Sequence, residues 1–311
     1  MERFKEWLVL KGYAGSTIAS VVRTVMFFKQ WCEQENIGDV SAVTHNDLVA
    51  YVHHASAKEI SKKTIAHQFI MLTKYFNWLI TEGRVTDNPC SNIQIKGIKR
   101  KALYEVLTRE ELEGLYNNYA TEIKLEKTDR MKGLPPPMLL HTLARRRNKI
   151  IVGLLVYQGL RSEEIMKLQV SDVKLREGNI FIPSVNRSNE RTLKLESHQV
   201  FDLLDYINDT RKQIMVYRNR VASTGQLFLV LGEGKHVNNL FSTLLSHLKK
   251  LNSKVKTLEQ LRGSVIVHWL KLYHLRKVQV MAGHRYISST ESYQASNLDD
   301  LKEDVRNYHP F

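Results

Sequence analysis

The sequence AGHRYISSTESY, residues 282–293, places a glycine–histidine pair shortly before a tyrosine. Together with Arg161 and Arg262 upstream, this stretch offers a phenol nucleophile among groups that could hold a phosphate. A phenol has an ordinary pKa of about 10, so neighbours must help Tyr293 to lose its proton. An arbitrary member of the 13 tyrosines would be a packing residue, and its place after the glycine–histidine pair singles out Tyr293.

The charge balance favours a polyanionic partner. The chain has 311 residues, and 46 Lys and Arg against 32 Asp and Glu give it a formal charge of +14. That length normally makes two domains, and a hydrophobic fraction of 43% is ample for their cores. A membrane-surface protein has the same balance, but the sequence contains no long apolar run and no leader pattern at its start. We therefore expect a nucleic-acid partner and a cytoplasmic location.

Helical spacing dominates residues 1–94 and predicts a small helical bundle. One helix is expected behind a Ser16 cap, and another follows Ser61 and ends before Gly83. The apolar stripes that define these two helices are Ile18, Val21, Val25 and Phe28 in the first, and Ile65, Phe69, Leu72, Phe76 and Leu79 in the second. Lys62 and Lys63 open the second helix, where they could contact phosphates or be merely solvated.

A basic stretch at residues 95–102 predicts an interdomain linker, because it lacks helical periodicity and contains a glycine. Its Lys99, Arg100 and Lys101 could lie along a duplex backbone, or could serve only to keep the linker solvated. The second domain then spans residues 103–311 and opens with a capping box that begins at Thr108.

The second domain is predicted to be mostly helical with one small sheet. The triple arginine at 145–147 precedes an apolar stretch at 150–157 that is typical of a buried helix, so the arginines form either a solvated edge or a phosphate contact. Residues 179–185 and 191–195 have the composition of two strands joined by a polar turn at 186–190.

Three short sequence motifs, called boxes here, resemble those of the tyrosine recombinases, or phage integrases, and occur in the same order along the chain. The first is Gly159-Leu160-Arg161-Ser162-Glu163-Glu164-Ile165, the second holds Leu261-Arg262 with His268 after it, and the third runs from Ala282 through His284 to Tyr293. The likeness extends over nearly the whole chain. It implies an N-terminal, SAM-like core-binding domain and an α+β catalytic domain.

The resemblance implies a site-specific DNA recombinase or integrase that works without metal or cofactor. Tyr293 would form a covalent 3′-phosphotyrosine link, Arg161 and Arg262 would grip the phosphate, and His284 would hydrogen bond it. The implied partners are double-stranded DNA and further copies of the chain, as a tetramer on paired sites and a monomer in solution. Beyond Tyr293, an amphipathic segment with Leu298, Leu301 and Val305 would dock either on a neighbouring subunit or on its own domain.

Two positions depart from the family pattern and keep alternatives open. Glu259 stands where the family usually has histidine, and its carboxylate could accept a proton or tune Arg262. Asn189 stands where the family usually has the lysine that protonates the leaving oxygen, so Lys194, Arg187 or Arg191 would have to replace it. The chain could therefore be a weakened relative that only binds DNA.

Three further readings remain open. The same nucleophile chemistry would serve a type IB topoisomerase-like enzyme, and a helical transcription factor would need no phosphate-gripping arginines at all. The arginines could also be structural, with Glu164 as their anionic partner.

Overall fold

The computed structural model describes residues 1–98, 105–121, 136–185, 188–217, 225–231 and 237–294. The chain divides into two units, Met1–Ala102 and Leu103–Phe311. Several predictions fall outside the described residues, namely those for Lys99, Arg100, Lys101, Arg187, Leu298, Leu301 and Val305. Among the helices of the described ranges, none has the length and apolar content that a membrane span requires.

The first unit is a bundle of four helices, as the apolar spacing predicts. These are α1 (Glu2–Leu10), α2 (Gly15–Gln34), α3 (His45–Ala57) and α4 (Lys62–Thr81). Every residue of the predicted stripe on α4 is buried, and the Ser61 hydroxyl caps that helix by accepting a hydrogen bond from the Thr64 N–H. The predicted Ser16 cap is wrong, because α2 already begins at Gly15 behind Ala14, which places Ser16 inside the helix.

The second unit combines eight helices of the described residues with one small sheet. The helices are α5 (Arg109–Asn117), α6 (Pro136–Val156), α7 (Ser162–Lys167), α8 (Ser197–Asp205), α9 (Arg211–Tyr217), α10 (Val237–Leu251), α11 (Leu258–Leu272) and α12 (Leu275–Ala282). The capping box at the start of α5 is confirmed, since Thr108 and Glu111 each hydrogen bond the other's backbone N–H. A mainly helical fold with a small sheet is therefore the observed class.

The sheet is antiparallel, in the order β1 (Val173–Lys174), β2 (Asn179–Ile182), β3 (Arg191–Lys194). Its register pairs Ile182 with Arg191. The sequence did not predict β1, because two residues are too short to show alternation. The predicted first strand also ends early, since β2 stops at Ile182.

The triple arginine lies within α6 and not before it, which corrects the predicted solvated edge. Arg147 is buried and donates from Nη1 to the carbonyl oxygen of Leu229 over 2.6 Å. Arg146 forms a 3.5 Å salt bridge with Asp209. Arg147 is thus tied to the interior of the unit, whereas Arg146 forms its ion pair at the surface. The turn that follows α6 then carries Arg161.

Candidate active site

Four segments of the second unit bring the predicted site residues together. The turn after α6 carries Arg161, the buried face of α11 carries Arg262, and the turn after α12 carries His284. The helical residues 288–294 carry Tyr293. Gly283 ends α12 with a φ of 67°, and a Cβ there would lie only 2.5 Å from Arg191 Nη1, so this turn requires a glycine.

Arg262 is held rigidly in the protein interior, with only 1% of its surface exposed. Its Nη1 donates to the carbonyl oxygen of Gly159 over 2.5 Å, and its Nη2 donates to that of Ala282 over 2.7 Å. Burial, followed by the charge of Arg161, lowers the pKa of Arg262 to about 10, which leaves it cationic at neutral pH. Its Nε–H is buried and has no hydrogen-bond partner among the described residues.

Arg161 differs from Arg262 in the state of its guanidinium, whose donor groups are available to a ligand. The side chain is half-buried, and within the described ranges its guanidinium makes no hydrogen bond or salt bridge. The backbone is fixed, since the Arg161 N–H donates to Glu164 Oε2 over 2.9 Å. The structure therefore holds the backbone in place and leaves the donor groups available.

A buried ion pair between Glu164 and Arg191 lies beneath this site. Arg191 Nη1 and Nη2 donate to the two carboxylate oxygens over 2.8 and 3.1 Å, and Nε donates to the Met281 carbonyl over 2.7 Å. Glu164 Oε2 also lies 3.8 Å from Arg262 Nη1. Burial raises the pKa of Glu164, but Arg191 and its other donors outweigh this effect and hold it at about 2.

His284 is buried between Arg262 and Thr290. Its Nε2 lies 3.2 Å from Arg262 Nη2, and its Nδ1 lies 2.9 Å from Thr290 Oγ1. A guanidinium can only donate, so Nε2 accepts and Nδ1 carries the proton that is donated to Thr290. Burial, with Arg262 and Arg161 adding to it, lowers the pKa of His284 to about 4, so the imidazole is neutral at pH 7.

The ring of Tyr293 stacks on the imidazole of His284, with centroids 5.9 Å apart and planes 7° from parallel. Its other neighbour is Gly263, where a Cβ would lie 3.4 Å from Tyr293 Cε1. Burial is the largest of the effects that raise the pKa of the phenol, and the charge of Glu259 adds to it, whereas Arg262 and Arg161 lower it.

The structure does not bring Lys194 to this cluster. Side chains alternate along β3, so Lys194 is exposed on the face opposite the buried Arg191. It lines a cavity of about 500 Å³ that contains none of the other four predicted catalytic residues. Arg191 cannot replace it as an acid either, because its guanidinium is bonded to Glu164 and to a backbone carbonyl. Asn189 contacts the site through its backbone: its N–H donates to the Gly283 carbonyl over 2.9 Å, and its carbonyl oxygen accepts from Arg191 Nη1 over 3.4 Å.

Other predicted residues lie elsewhere. Lys62 and Lys63 are exposed at the start of α4 in the first unit. His268 belongs to the second box, but its Nε2 lies 2.8 Å from the Leu107 carbonyl oxygen, so it anchors the segment before α5 instead of entering the site. The sequence analysis did not predict Thr290 as a contact of His284. The helical spacing from Ser288 to Tyr293 was the signal that could have placed Thr290 and Tyr293 on one segment.

Family models and a relative of known class match most of the chain. Residues 137–299 match the phage integrase family, and residues 1–83 match the phage integrase N-terminal SAM-like domain. The chain is 26% identical over 306 residues to the tyrosine recombinase XerC of Halalkalibacterium halodurans, covering 96% of this chain and 93% of that protein.

Two solved structures share the fold. The XerH site-specific recombinase bound to palindromic difH substrate, a post-cleavage complex, matches with a TM-score of 0.65 at 18% identity, over 93% of this chain and 78% of that one. A lambda integrase tetramer bound to a Holliday junction matches with a TM-score of 0.61 at 13% identity, over 94% and 75% of the two chains.

The chain belongs to the phage integrase family. The predicted family, fold class and class of enzyme are confirmed: this is a tyrosine recombinase, and its activity is site-specific recombination.

Proposed function

We propose that the chain cleaves and rejoins DNA strands through a covalent 3′-phosphotyrosine formed by Tyr293. One observation carries this proposal. Arg161 and the Nε of Arg262 offer donors with no partner in the described part of the chain, beside a phenol. Arg191 and Arg262 form salt bridges with one buried carboxylate, Glu164, and Arg161 adds a third positive charge near Arg262, so the site has a positive charge that a phosphodiester would offset.

In the cleavage step, the two arginines grip the non-bridging oxygens of the scissile phosphate. Charge develops on those oxygens as the phenol oxygen of Tyr293 attacks phosphorus, and paired guanidinium donors stabilise it. The Tyr293–phosphorus bond forms, the bond to the 5′ oxygen breaks, and a 5′-hydroxyl is released. Neutral His284 accepts a hydrogen bond from Arg262 at Nε2 and so holds that guanidinium in position for the phosphate.

The rejoining step reverses this chemistry. The bond energy stays in the phosphotyrosine ester, so the 5′-hydroxyl of a second strand can attack it and release Tyr293. The exchange needs no nucleotide or metal. We do not assign the proton of the leaving oxygen to Lys194, because that side chain lies on the far face of β3.

The partner is double-stranded DNA, with residues 1–94 as the core-binding domain and residues 103–311 as the catalytic domain. Lys62, Lys63, Lys99, Arg100 and Lys101 contact its phosphates in this proposal, and the formal charge of +14 supports them. The chain acts as a tetramer on paired sites and is a monomer in solution, in the cytoplasm. The tetrameric assembly of the lambda integrase on a Holliday junction supports the proposed tetramer.

A covalent-capture assay tests this function. DNA flanking the gene is offered with a nick near the scissile phosphate, so that the released fragment diffuses away and the adduct accumulates. We expect a covalent adduct with the wild type and none with Tyr293→Phe. The Tyr293→Phe variant should still bind the same duplex, as measured by its electrophoretic mobility. An adduct that survives Tyr293→Phe would overturn the proposal.

The alternative of a weakened relative that binds DNA without cutting it, which Glu259 and Asn189 left open in the sequence, is tested in the same way. It predicts tight, sequence-specific binding with no adduct on any nicked substrate. The same assay therefore separates the two functions.

A further inference from the structure

We propose that a cavity between α6 and α10 binds a free phosphate group, as a second anion site apart from the four residues proposed for catalysis. The cavity has a volume of about 260 Å³, and none of those four residues lines it. Arg145, which lies in its wall, is eleven residues before the end of α6 at Val156, or about 16 Å along the helix axis. The site therefore goes beyond the proposed function.

The polar part of the cavity wall consists of cations and hydrogen-bond donors. Arg145 and Arg147, two members of the triple arginine, are permanently cationic, and His141 and His247 lie in the same wall. Among the described residues, no carboxylate lines the cavity to balance these charges. Because burying positive charge without a partner is costly, such a wall favours an anion.

Arg145 has a donor that the described part of the protein does not use. Its Nη1 donates to the Ala120 carbonyl oxygen over 3.3 Å, whereas its Nε is buried and has no hydrogen-bond partner there. Buried donors are nearly always paired, and an unpaired one can mark the place of an ion. The neighbouring Arg146 differs, because it forms a salt bridge with Asp209 and does not line the cavity.

A chain of hydrogen bonds fixes the ring of His247 at the cavity. Arg147 Nη2 donates to Asn148 Oδ1 over 2.9 Å, and Asn148 Nδ2 donates to the Tyr119 hydroxyl over 3.4 Å. That hydroxyl also lies 3.4 Å from His247 Nδ1, to which it can give its own proton. The neutral ring then carries its proton on Nε2, which makes no hydrogen bond within the described ranges and can donate to an anion.

The charges around His247 also fit an anion. Burial, followed by the charges of Arg145, Lys250 and His141, lowers the pKa of His247. Tyr119 is the other titratable group against the ring, with the two ring centroids 6.3 Å apart. An anion in the cavity would offset the three positive charges, so its binding should favour the protonated imidazole and raise the pKa of His247.

A metal ion does not fit this wall. Two arginines would repel it, and the described residues contain no group of three or more His, Cys, Asp and Glu side chains that could hold one. The ligand is therefore an anion and not a cation.

The depth of the donors favours a small free phosphate over the phosphate of a duplex. Arg147 is only 5% exposed and the Nε of Arg145 is buried, so these donors lie below the protein surface. A phosphate in a duplex has a sugar on each side, which limits how far it can enter. Inorganic phosphate or a phosphomonoester instead presents at least three free oxygens, and it can enter the cavity and accept from several donors.

Calorimetric titration of the full chain with inorganic phosphate, without DNA, tests the site. All proteins carry Arg161→Ala, because the proposed catalytic site would bind phosphate as well. In this background we expect Arg145→Gln to weaken phosphate binding by about 10–100-fold, the effect of losing a hydrogen bond between charged groups. Arg146→Gln is the matched control, since it removes the same charge from the residue that pairs with Asp209, and it should bind phosphate like its parent. Equal binding by Arg145→Gln and its parent would overturn the proposal.

The imidazole resonances of His247 locate the site without any change at Arg145, and the His247→Ala spectrum identifies them. Sulfate is the probe here, because it stays a dianion over the neutral range, in which phosphate itself titrates. At saturating sulfate the titration midpoint of His247 should rise by about 1 pH unit or more, and sodium chloride at equal ionic strength should not reproduce this rise. An unchanged midpoint would place the anion elsewhere and would overturn the proposal.

A short duplex distinguishes the two sources of phosphate. A site for free phosphate predicts that the duplex alone leaves the His247 midpoint unchanged, and that sulfate still raises it when the duplex is bound. A duplex that raises the midpoint and displaces sulfate would make the cavity a contact for the DNA backbone, which would overturn the assignment to free phosphate. Neither readout uses strand cleavage, so a failure of the proposed function would leave both unaffected.

Discussion

Glu164 and Arg191 form a bidentate ion pair that is buried away from water, since the side chain of Glu164 is 0% exposed and that of Arg191 is 1% exposed. The pair joins α7 to β3, and the Arg191 Nε extends the link to the Met281 carbonyl near the end of α12. Because Gly283 and His284 follow directly, this pair sets the position of the turn that carries the histidine. It is a structural support of the site, and the carboxylate predicted as a rival partner for the catalytic arginines bonds mainly with Arg191.

Breaking this pair should be costly. Arg191→Met leaves the Glu164 carboxylate buried without its main partner, and we expect a loss of about 3–5 kcal/mol in the free energy of unfolding. The double variant Glu164→Leu, Arg191→Met removes both charges and should recover much of that loss. Urea unfolding of the wild type, Arg191→Met and the double variant measures the loss and its recovery. Equal stability of the wild type and Arg191→Met would show that the pair contributes nothing.

The same pair should make the second unit sensitive to acid. The pKa of Glu164 is lowered in the fold to about 2 from 4.5, so its stabilising effect is complete above about pH 4.5 and is lost as the pH falls toward about 2. The stability difference between the wild type and Glu164→Gln should therefore be largest near neutral pH and shrink over that window. A difference independent of pH would contradict this cause.

Arg161 and Arg262, the two arginines proposed to grip the phosphate, should respond differently to substitution. Arg161→Ala removes a guanidinium with no described partner, so we expect stability within about 0.5 kcal/mol of the wild type and cleavage lower by about 10²–10³-fold. Arg262→Ala also leaves the carbonyls of Gly159 and Ala282 buried without a donor, so it should lose stability as well, by about 1–3 kcal/mol. Adduct formation and thermal unfolding, measured side by side, distinguish them. Destabilisation by Arg161→Ala would refute the distinction.

The sequence was most informative where a motif or a spacing has one physical meaning. The apolar stripe of α4 and the Thr108 capping box follow from local rules. The resemblance singled out Arg161, Arg262, His284 and Tyr293, which lie together in the fold, and their catalytic roles stay a prediction. Local rules failed where tertiary contacts decide. Only the three-dimensional contacts show that Arg147 pairs with a distant carbonyl, or that the alternation of β3 turns Lys194 away from Arg191.

The tautomer of His284 leads to a prediction about Thr290. In Thr290→Val the Nδ1–H loses its acceptor in a buried site, while Thr290→Ser keeps the hydroxyl. A buried donor without a partner costs about 1–3 kcal/mol, so the imidazole of the valine variant should be held less firmly in the orientation that accepts from Arg262. The guanidinium of Arg262 would then be less well positioned for the phosphate.

Cleavage by Thr290→Val should therefore fall by about tenfold or more, corresponding to about 1.4 kcal/mol, and Thr290→Ser should stay near the wild type. Imidazole nitrogen resonances would report the tautomer directly, with the His284→Ala spectrum identifying the signal among the 12 histidines. In the wild type that signal should titrate with a pKa of about 4, because burial and the neighbouring arginines disfavour the cation. This depressed pKa stabilises the fold fully above about pH 6.5 and less as the pH falls toward about 4. A His284 that titrates near its ordinary value, or a serine variant as slow as the valine variant, would contradict the proposed hydrogen-bond chain from Thr290 to Arg262.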